Sequence, residues 1–380
     1  MTVGSLRDAH LRIDLGALQH NIRAQKAQLP ANSHILAVVK ANAYGCGLDQ
    51  VAHAALRAGV DGFCVAILDE ALDLRNQGIN DLALVLGITP VKFARRAAEN
   101  GVSLAVGSVQ WLKEYQELAQ KYHIKQPLRV HLALDTGMGR IGFTDVQEFA
   151  EAVKLVEAPE FDFEGIFTHF ATADSADQDY FHQQFARWQE FMAVVPDKPK
   201  YCHVANSAVG MWHHDEIVGN TVRMGMSMYG GNPSGRELQP TLALRPVMSL
   251  AARLTFVKQL RAGQSIGYGK TYTAKQDEWI GTLPIGYADG YSRAMQGFYV
   301  LINGQRCEIV GRICMDEMMV RLPEKLPEGT LAVFLGRSGD QTITTNDIAD
   351  YSGTINYEVM TRMSRRLHRQ YITKGQGFRY

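Results

Sequence analysis

The chain has 380 residues, 46% of them hydrophobic, and its 39 Lys and Arg balance 39 Asp and Glu. That length carries one large domain with a smaller one, or two comparable ones, and the even charge argues against nucleic-acid partners and against an acidic disordered tail. Five cysteines without a C-x-x-C pair or zinc spacing fit a reducing compartment and no metal site. With no signal-peptide run and no apolar stretch of about 18 residues, the expectation is a cytoplasmic protein with small-molecule partners and no membrane contact.

Residues 34 to 230 alternate short apolar runs with longer stretches of mixed polarity, the pattern of a parallel α/β domain. Eight runs stand out: "HILAVVK", "GFCVAIL", "LALVLGI", "VSLAVGS", "RVHLALD", "FEGIFTH", "YCHVAN" and "TVRMGMSMYG". Stretches such as "GLDQVAHAALRAG" and "SVQWLKEYQELAQKY" fit amphipathic helices between them. Eight units in roughly 200 residues predict a (β/α)8 barrel of the TIM type, whose chemistry sits at the C-terminal ends of its strands.

After residue 240 the texture changes to short β-like runs punctuated by Gly, Pro and Asn-Gly turns, as in "FYVLINGQRCEIVGRICMDEMMVRL". The expected division is a barrel domain over 1–240 and a mainly β domain over 241–380, with a helix near "NYEVMTRMSRRLHRQ".

Lys40 ends the first barrel run, Arg140 follows the fifth, His169 ends the sixth, Asn206 and Ser207 follow the seventh, and Arg223 and Gly225 lie in the eighth. Each alone has a plain explanation: a snorkelling lysine, a packing histidine, half of an ion pair. Together they make a positively biased barrel mouth that attracts a phosphate-bearing ligand and eases deprotonation of a partly desolvated lysine. A neutral lysine attacks aldehydes, so two chemistries remain open here. One is a Schiff-base aldolase; the other uses pyridoxal 5′-phosphate (PLP).

Seven motifs in order resemble those of alanine racemases. They are "AVVKANAYGCG", "LDTGMGRIGF", "THFATAD", "HVANSA", "TVRMGMSMYG", "IGYGKTY" and "GRICMDEMMV". The resemblance covers nearly the whole chain and implies an N-terminal PLP-binding barrel with a C-terminal β domain. It also implies that "LRIDLGAL", about residues 10–17, is a strand packing with that second domain. By the same resemblance Lys40 holds the PLP aldehyde, while Tyr44, Asn206, Ser207, Tyr357 and the backbone around Gly225 and Met226 serve its phosphate. His169 lies against the ring and bonds Arg223, which faces the pyridine nitrogen. Arg140, Tyr287, Met315 and Asp316 line the substrate side.

The implied reaction interconverts L- and D-alanine for peptidoglycan by two bases, Lys40 on one face of Cα and Tyr268 on the other. Because guanidinium only donates, Arg223 keeps the pyridine nitrogen unprotonated and so disfavours transamination. The family's shared sites imply a homodimer. Ala133 stands where family members often carry a carbamylated lysine that buttresses the arginine, which leaves the support of Arg140 to a chloride, another side chain or none. Broader amino-acid racemisation and a PLP-carrier barrel are the rival readings, the second opposed by "IGYGKTY" and "GRICMD".

Overall fold

The computed structural model describes residues 2–214 and 219–373. They divide into two compact units. One comprises Leu18–Ala43 and Leu48–Arg245; the other comprises residues up to Ala17, Tyr44–Gly47 and the chain from Pro246 onward.

The strand β1 (Ala9–Asp14) comes first and belongs to the second unit. The barrel unit then contributes β2 (His34–Val38), β3 (Gly62–Val65), β4 (Leu82–Val85), β5 (Ser103–Val106), β6 (Leu128–Ala133), β7 (Phe161–Phe167), β8 (Tyr201–His203) and β9 (Thr221–Met224). Among the described residues these eight form one parallel sheet, ordered β8-β7-β6-β5-β4-β3-β2-β9. The ring closes between β8 and β9 through a single parallel bridge, Ala205 to Val222, with Arg223 N–H donating to the Ala205 carbonyl at 2.9 Å. Strands β3 to β5 are buried at every position, which is why they read as unbroken apolar runs: a parallel strand is covered on both faces.

Helices cover the outside of that ring. Leu48–Ala58 turns Leu48, Val51, Ala52, Ala54, Ala55 and Ala58 inward, the i, i+3, i+4 spacing of one helical face. Val109–Tyr122 starts at Ser108, whose hydroxyl accepts from the Trp111 N–H, and stops at His123 in the left-handed region. A serine cap of this kind stabilises a helix by about 1 kcal/mol.

The second unit continues with β10 (Met248–Arg253), β11 (Phe256–Leu260), β12 (Ser265–Ile266), β13 (Tyr272–Thr273), β14 (Glu278–Leu283), β15 (Tyr299–Ile302), β16 (Gln305–Val310), β17 (Met318–Leu322), β18 (Leu331–Ser338), β19 (Gln341–Ile343) and β20 (His368–Ile372). Its main sheet runs β11-β14-β17-β16-β15-β18-β10-β1-β20, so β1 lies between β10, antiparallel, and β20, parallel. Asn303 and Gly304, both at positive φ, turn the β15–β16 hairpin as an Asn-Gly pair does. Tyr44–Gly47 joins this unit because Arg369 Nε donates to the Gly45 carbonyl at 2.8 Å, and a Cβ at Gly45 would sit 2.5 Å from the Met360 carbonyl.

The strand expected over about residues 10–17 is shorter than its apolar run. It ends at Asp14, whose carboxylate accepts from the Ala17 N–H at 2.9 Å, and a helix spans Leu15–Gln28. The expected C-terminal helix is also brief, Asn356–Arg362, and "HRQYI" after it is the strand β20. Among the described residues no helix is long and apolar enough to cross a membrane.

Candidate active site

Lys40 stands two residues past β2, half-buried, and the four residues after it are left-handed. Ala41, Asn42, Ala43 and Tyr44 all have φ between 52° and 55°. A left-handed turn costs an L-residue roughly 1–2 kcal/mol, so such a run needs external support. Glu70 supplies part of it: Oε1 accepts the Ala41 N–H at 2.6 Å, and Oε2 accepts the Ala66 N–H at 2.8 Å. The Ala43 N–H donates to the Val39 carbonyl at 2.8 Å, and Asn42 Oδ1 accepts from Leu48 N–H at 3.1 Å. The lysine is therefore carried on a strained, well-anchored bend, the kind of backbone that gathers at functional sites.

Burial lowers the Lys40 ammonium from its ordinary range, and Arg140 and Arg223 push the same way against Cys64 and Glu70. Burial likewise drops His169 well below the usual imidazole range, with Arg223, Arg140 and Lys40 adding to it. Lys40, Arg140, His169 and Arg223 thus lie within electrostatic reach of one another.

Arg223 is 3% exposed. Its Nη1 donates to the His203 carbonyl at 2.8 Å and lies 2.8 Å from His203 Nδ1; its Nη2 donates to the Thr168 carbonyl at 2.7 Å and lies 3.3 Å from His169 Nδ1. Burial pulls its guanidinium down to about 10, with Cys64 opposing and Arg140 adding to the fall. It stays charged at neutral pH and can only donate.

Beside it, Ser207 Oγ accepts the Gly225 N–H at 2.8 Å and the Ser227 N–H at 3.4 Å. Asn206 caps the short helix Ser207–Trp212, its Oδ1 accepting from Val209 N–H at 3.0 Å, so its side chain presents Ser207. Met226 is buried at the start of the turn Met226–Tyr229. The Ser227 hydroxyl is buried there with no hydrogen-bond partner among the described residues. An oxygen-rich anion would satisfy it, since buried polar atoms demand partners.

Arg140 is exposed on a loop shaped by Asp135, whose Oδ1 accepts the Gly137 and Gly139 N–H groups at 2.9 and 3.0 Å. It makes no hydrogen bond or ion pair among the described residues. Ala133 packs with Ala105 and Phe167 in a small apolar cluster.

In the second unit, Tyr268 opens a tight turn between Gly267 and Gly269, both at positive φ, and is 70% exposed. Tyr287 and Met315 are brought together: the Tyr287 N–H donates to the Cys314 carbonyl and the Ala288 N–H to the Met315 carbonyl, at 3.1 and 3.0 Å. Asp316 pairs with Arg366 at 2.5 Å. Tyr44 and Tyr357 face each other with ring centroids 6.1 Å apart.

Sequence reasoning missed Glu70, His131, Glu164 and His203. Their one signal was a polar residue inside or beside an apolar run, as in "RVHLALD" and "FEGIFTH", and that pattern alone assigns no partner.

Two family models match this chain, the alanine racemase N-terminal domain over residues 13–233 and the alanine racemase C-terminal domain over residues 247–371. An alanine racemase of Limosilactobacillus fermentum is 62% identical over 372 residues, 98% of this chain and 100% of its own. One of Lactiplantibacillus plantarum is 53% identical, again over 98% and 100%. Among solved structures, the alanine racemase of E. faecalis superposes with a TM-score of 0.95 at 45% identity, covering 98% of this chain and 100% of that one. A histidine racemase from Leuconostoc mesenteroides does so with a TM-score of 0.91 at 34% identity and the same coverage. With both domain models matched in order and relatives aligned from end to end, the chain belongs to the alanine racemase family.

Proposed function

We propose that the protein is an alanine racemase that binds PLP at Lys40, interconverts L- and D-alanine, and supplies D-alanine for peptidoglycan in the cytoplasm. The observation that carries this is the Lys40 amine, held below its ordinary range beside two arginines and a neutral histidine. The residues fit the cofactor: an amine able to condense with an aldehyde, an unpartnered Ser227 hydroxyl beside Ser207 for a phosphate, and a buried guanidinium for a ring nitrogen.

In this reading Ser207, Tyr44, Tyr357 and the backbone of Gly225 and Met226 hold the phosphate. His169 would flank the ring, and Arg223, which can only donate, would serve the ring nitrogen and keep it free of a proton. Arg140 takes the substrate carboxylate, while Tyr287, Met315 and Asp316 line the way in. Bound PLP supplies a system that spreads the electrons left behind by a departing Cα proton. Lys40 moves that proton on one face of Cα and Tyr268 on the other. The exposed Tyr268 phenol is available to a second chain, in keeping with a homodimer whose sites each draw on both subunits.

Borohydride reduction of the enzyme with PLP, followed by peptide mapping, is expected to find the label on Lys40, and L-alanine is expected to lose optical rotation. No cofactor on Lys40 after incubation with excess PLP overturns the proposal. The histidine racemase of the same fold favours one rival, a broader racemase; equal rates with alanine and with histidine, serine or lysine would select it.

A further inference from the structure

A row of polar side chains runs inside the barrel from β7 to Arg223. Ser103 Oγ donates to Glu164 Oε2 at 2.5 Å, and His131 Nε2 lies 3.0 Å from the same oxygen. His131 Nδ1 is 2.9 Å from His203 Nε2, and His203 Nδ1 is 2.8 Å from Arg223 Nη1. Arginine offers no acceptor, and a neutral imidazole has one donor and one acceptor. His203 Nδ1 must therefore accept from Arg223, which leaves its proton on Nε2, aimed at His131 Nδ1. His131 then carries its proton on Nε2 and gives it to the carboxylate. The opposite tautomers would set N–H against N–H at the guanidinium.

Both ends of the row hold this order. Burial, with the charge of Arg223 adding to it, keeps His203 well below the usual imidazole range and so neutral. Burial pushes Glu164 up, but hydrogen bonds from His131 and Ser103, helped by the Arg129 charge, outweigh it and leave the carboxyl below its ordinary range. At neutral pH it is an ionised acceptor.

Glu164 reaches this place through an irregularity in the sheet. Val130 pairs with Phe163 and His131 with Gly165, so Glu164 is the extra residue of β7. A bulge of this kind re-aims a side chain that strict alternation would turn elsewhere. The next residue has to be glycine, because a Cβ at Gly165 would run into the His131 ring.

We infer that Glu164 is a positioning residue: acting through His131 and His203, it fixes the tautomers that orient the Arg223 guanidinium. What Arg223 faces rests on the racemase reading above; the tautomer assignment does not.

Nitrogen-15 NMR of histidine-labelled holoenzyme tests it. In the wild type, His203 and His131 are each expected to show a bare Nδ1 and a protonated Nε2; a protonated Nδ1 on His203 overturns the inference without any variant. In Glu164→Ala, His203 is expected to populate both tautomers, and kcat for alanine to fall about tenfold or more, as misplacement of a charged group does, while KM stays within about threefold of the wild type. Glu164→Gln keeps an acceptor oxygen and is expected to restore the wild-type tautomer and most of the kcat. A Glu164→Ala enzyme that loses only thermal stability and keeps the His203 tautomer shows a structural role and overturns the inference. Failure to find PLP on Lys40 would defeat the racemase reading and leave the apoprotein tautomers as assigned here.

Discussion

Glu70 Oε1 accepts the Ala41 N–H at 2.6 Å, which ties the helix Leu68–Asn76 to the residue directly after Lys40. The same carboxylate holds the end of β3 through Ala66, so one side chain sets the spacing of two barrel strands at the point where the lysine emerges. Glu70→Ala removes the acceptor from both N–H groups, which water can reach, and is expected to cost about 1 kcal/mol, read as a lower urea midpoint, together with weaker PLP retention. Ala41→Gly acts in the opposite direction. Glycine takes positive φ without the Cβ penalty, so the variant is expected to gain up to about 1 kcal/mol at this exposed position.

The acid limb of stability is expected to follow the buried histidines. His169 and His203 have folded values well below 6.5, so the unfolded chain binds more protons as pH falls below about 6.5. Their contribution is full above that pH and is lost below it, with a slope of at most about 1.4 kcal/mol per pH unit for each group. Urea unfolding of the apoprotein from pH 7 downward, with proton uptake followed in weakly buffered solution, checks it. A flat profile down to about pH 5 would contradict the buried neutral imidazoles.

Lys40 gives the alkaline counterpart. Its folded value lies below 10.5, so below that window the folded apoprotein carries a buried ammonium, and its stability rises as pH climbs toward the unfolded value. Lys40→Met removes the charge and is expected to stabilise the apoprotein at neutral pH while abolishing racemisation. The gain should fade at high pH, where the wild-type amine is already neutral.

Arg223→Lys is expected to be far from conservative. The guanidinium serves the His203 and Thr168 carbonyls and both adjoining imidazoles, and an ammonium on a flexible stem does not reproduce that fork. Leaving buried acceptors unmatched costs about 1–3 kcal/mol apiece, so a fall in melting temperature and a loss of turnover should appear together.

Subunit exchange tests the proposed shared sites. Lys40→Ala and Tyr268→Phe chains are each expected to be inactive, and mixed dimers to recover about half of a wild-type dimer's activity, one intact site of two. Full exchange without recovery would place both bases on one chain.

The barrel was legible in the sequence because its strands are buried on both faces and stand out as apolar runs between amphipathic helices. The end of β1 was less so. "DLGAL" stays apolar across the change from strand to helix, and only the Asp14 cap marks it. The partners within the Glu164 row were not legible, since they depend on a one-residue bulge in the β6–β7 pairing that no periodicity announces. Tyr268, Tyr287 and Met315 were legible only through family motifs; their local sequence, Gly-flanked turns with exposed side chains, gives no chemical signal of its own.

Strand β1 is flanked by β10 and β20, the one following the whole barrel and the other close to the last described residue. During synthesis, which runs from the N-terminus, β1 must wait for β10 and β20, both made after the whole barrel. The barrel has all eight of its strands once the ribosome has passed Met224; the sheet holding β1 does not. A growing chain therefore exposes β1 as an unpaired, alternately apolar edge until β10 and β20 have been made, and a chaperone that shields such edges should raise the yield of this protein more than it raises that of the barrel alone.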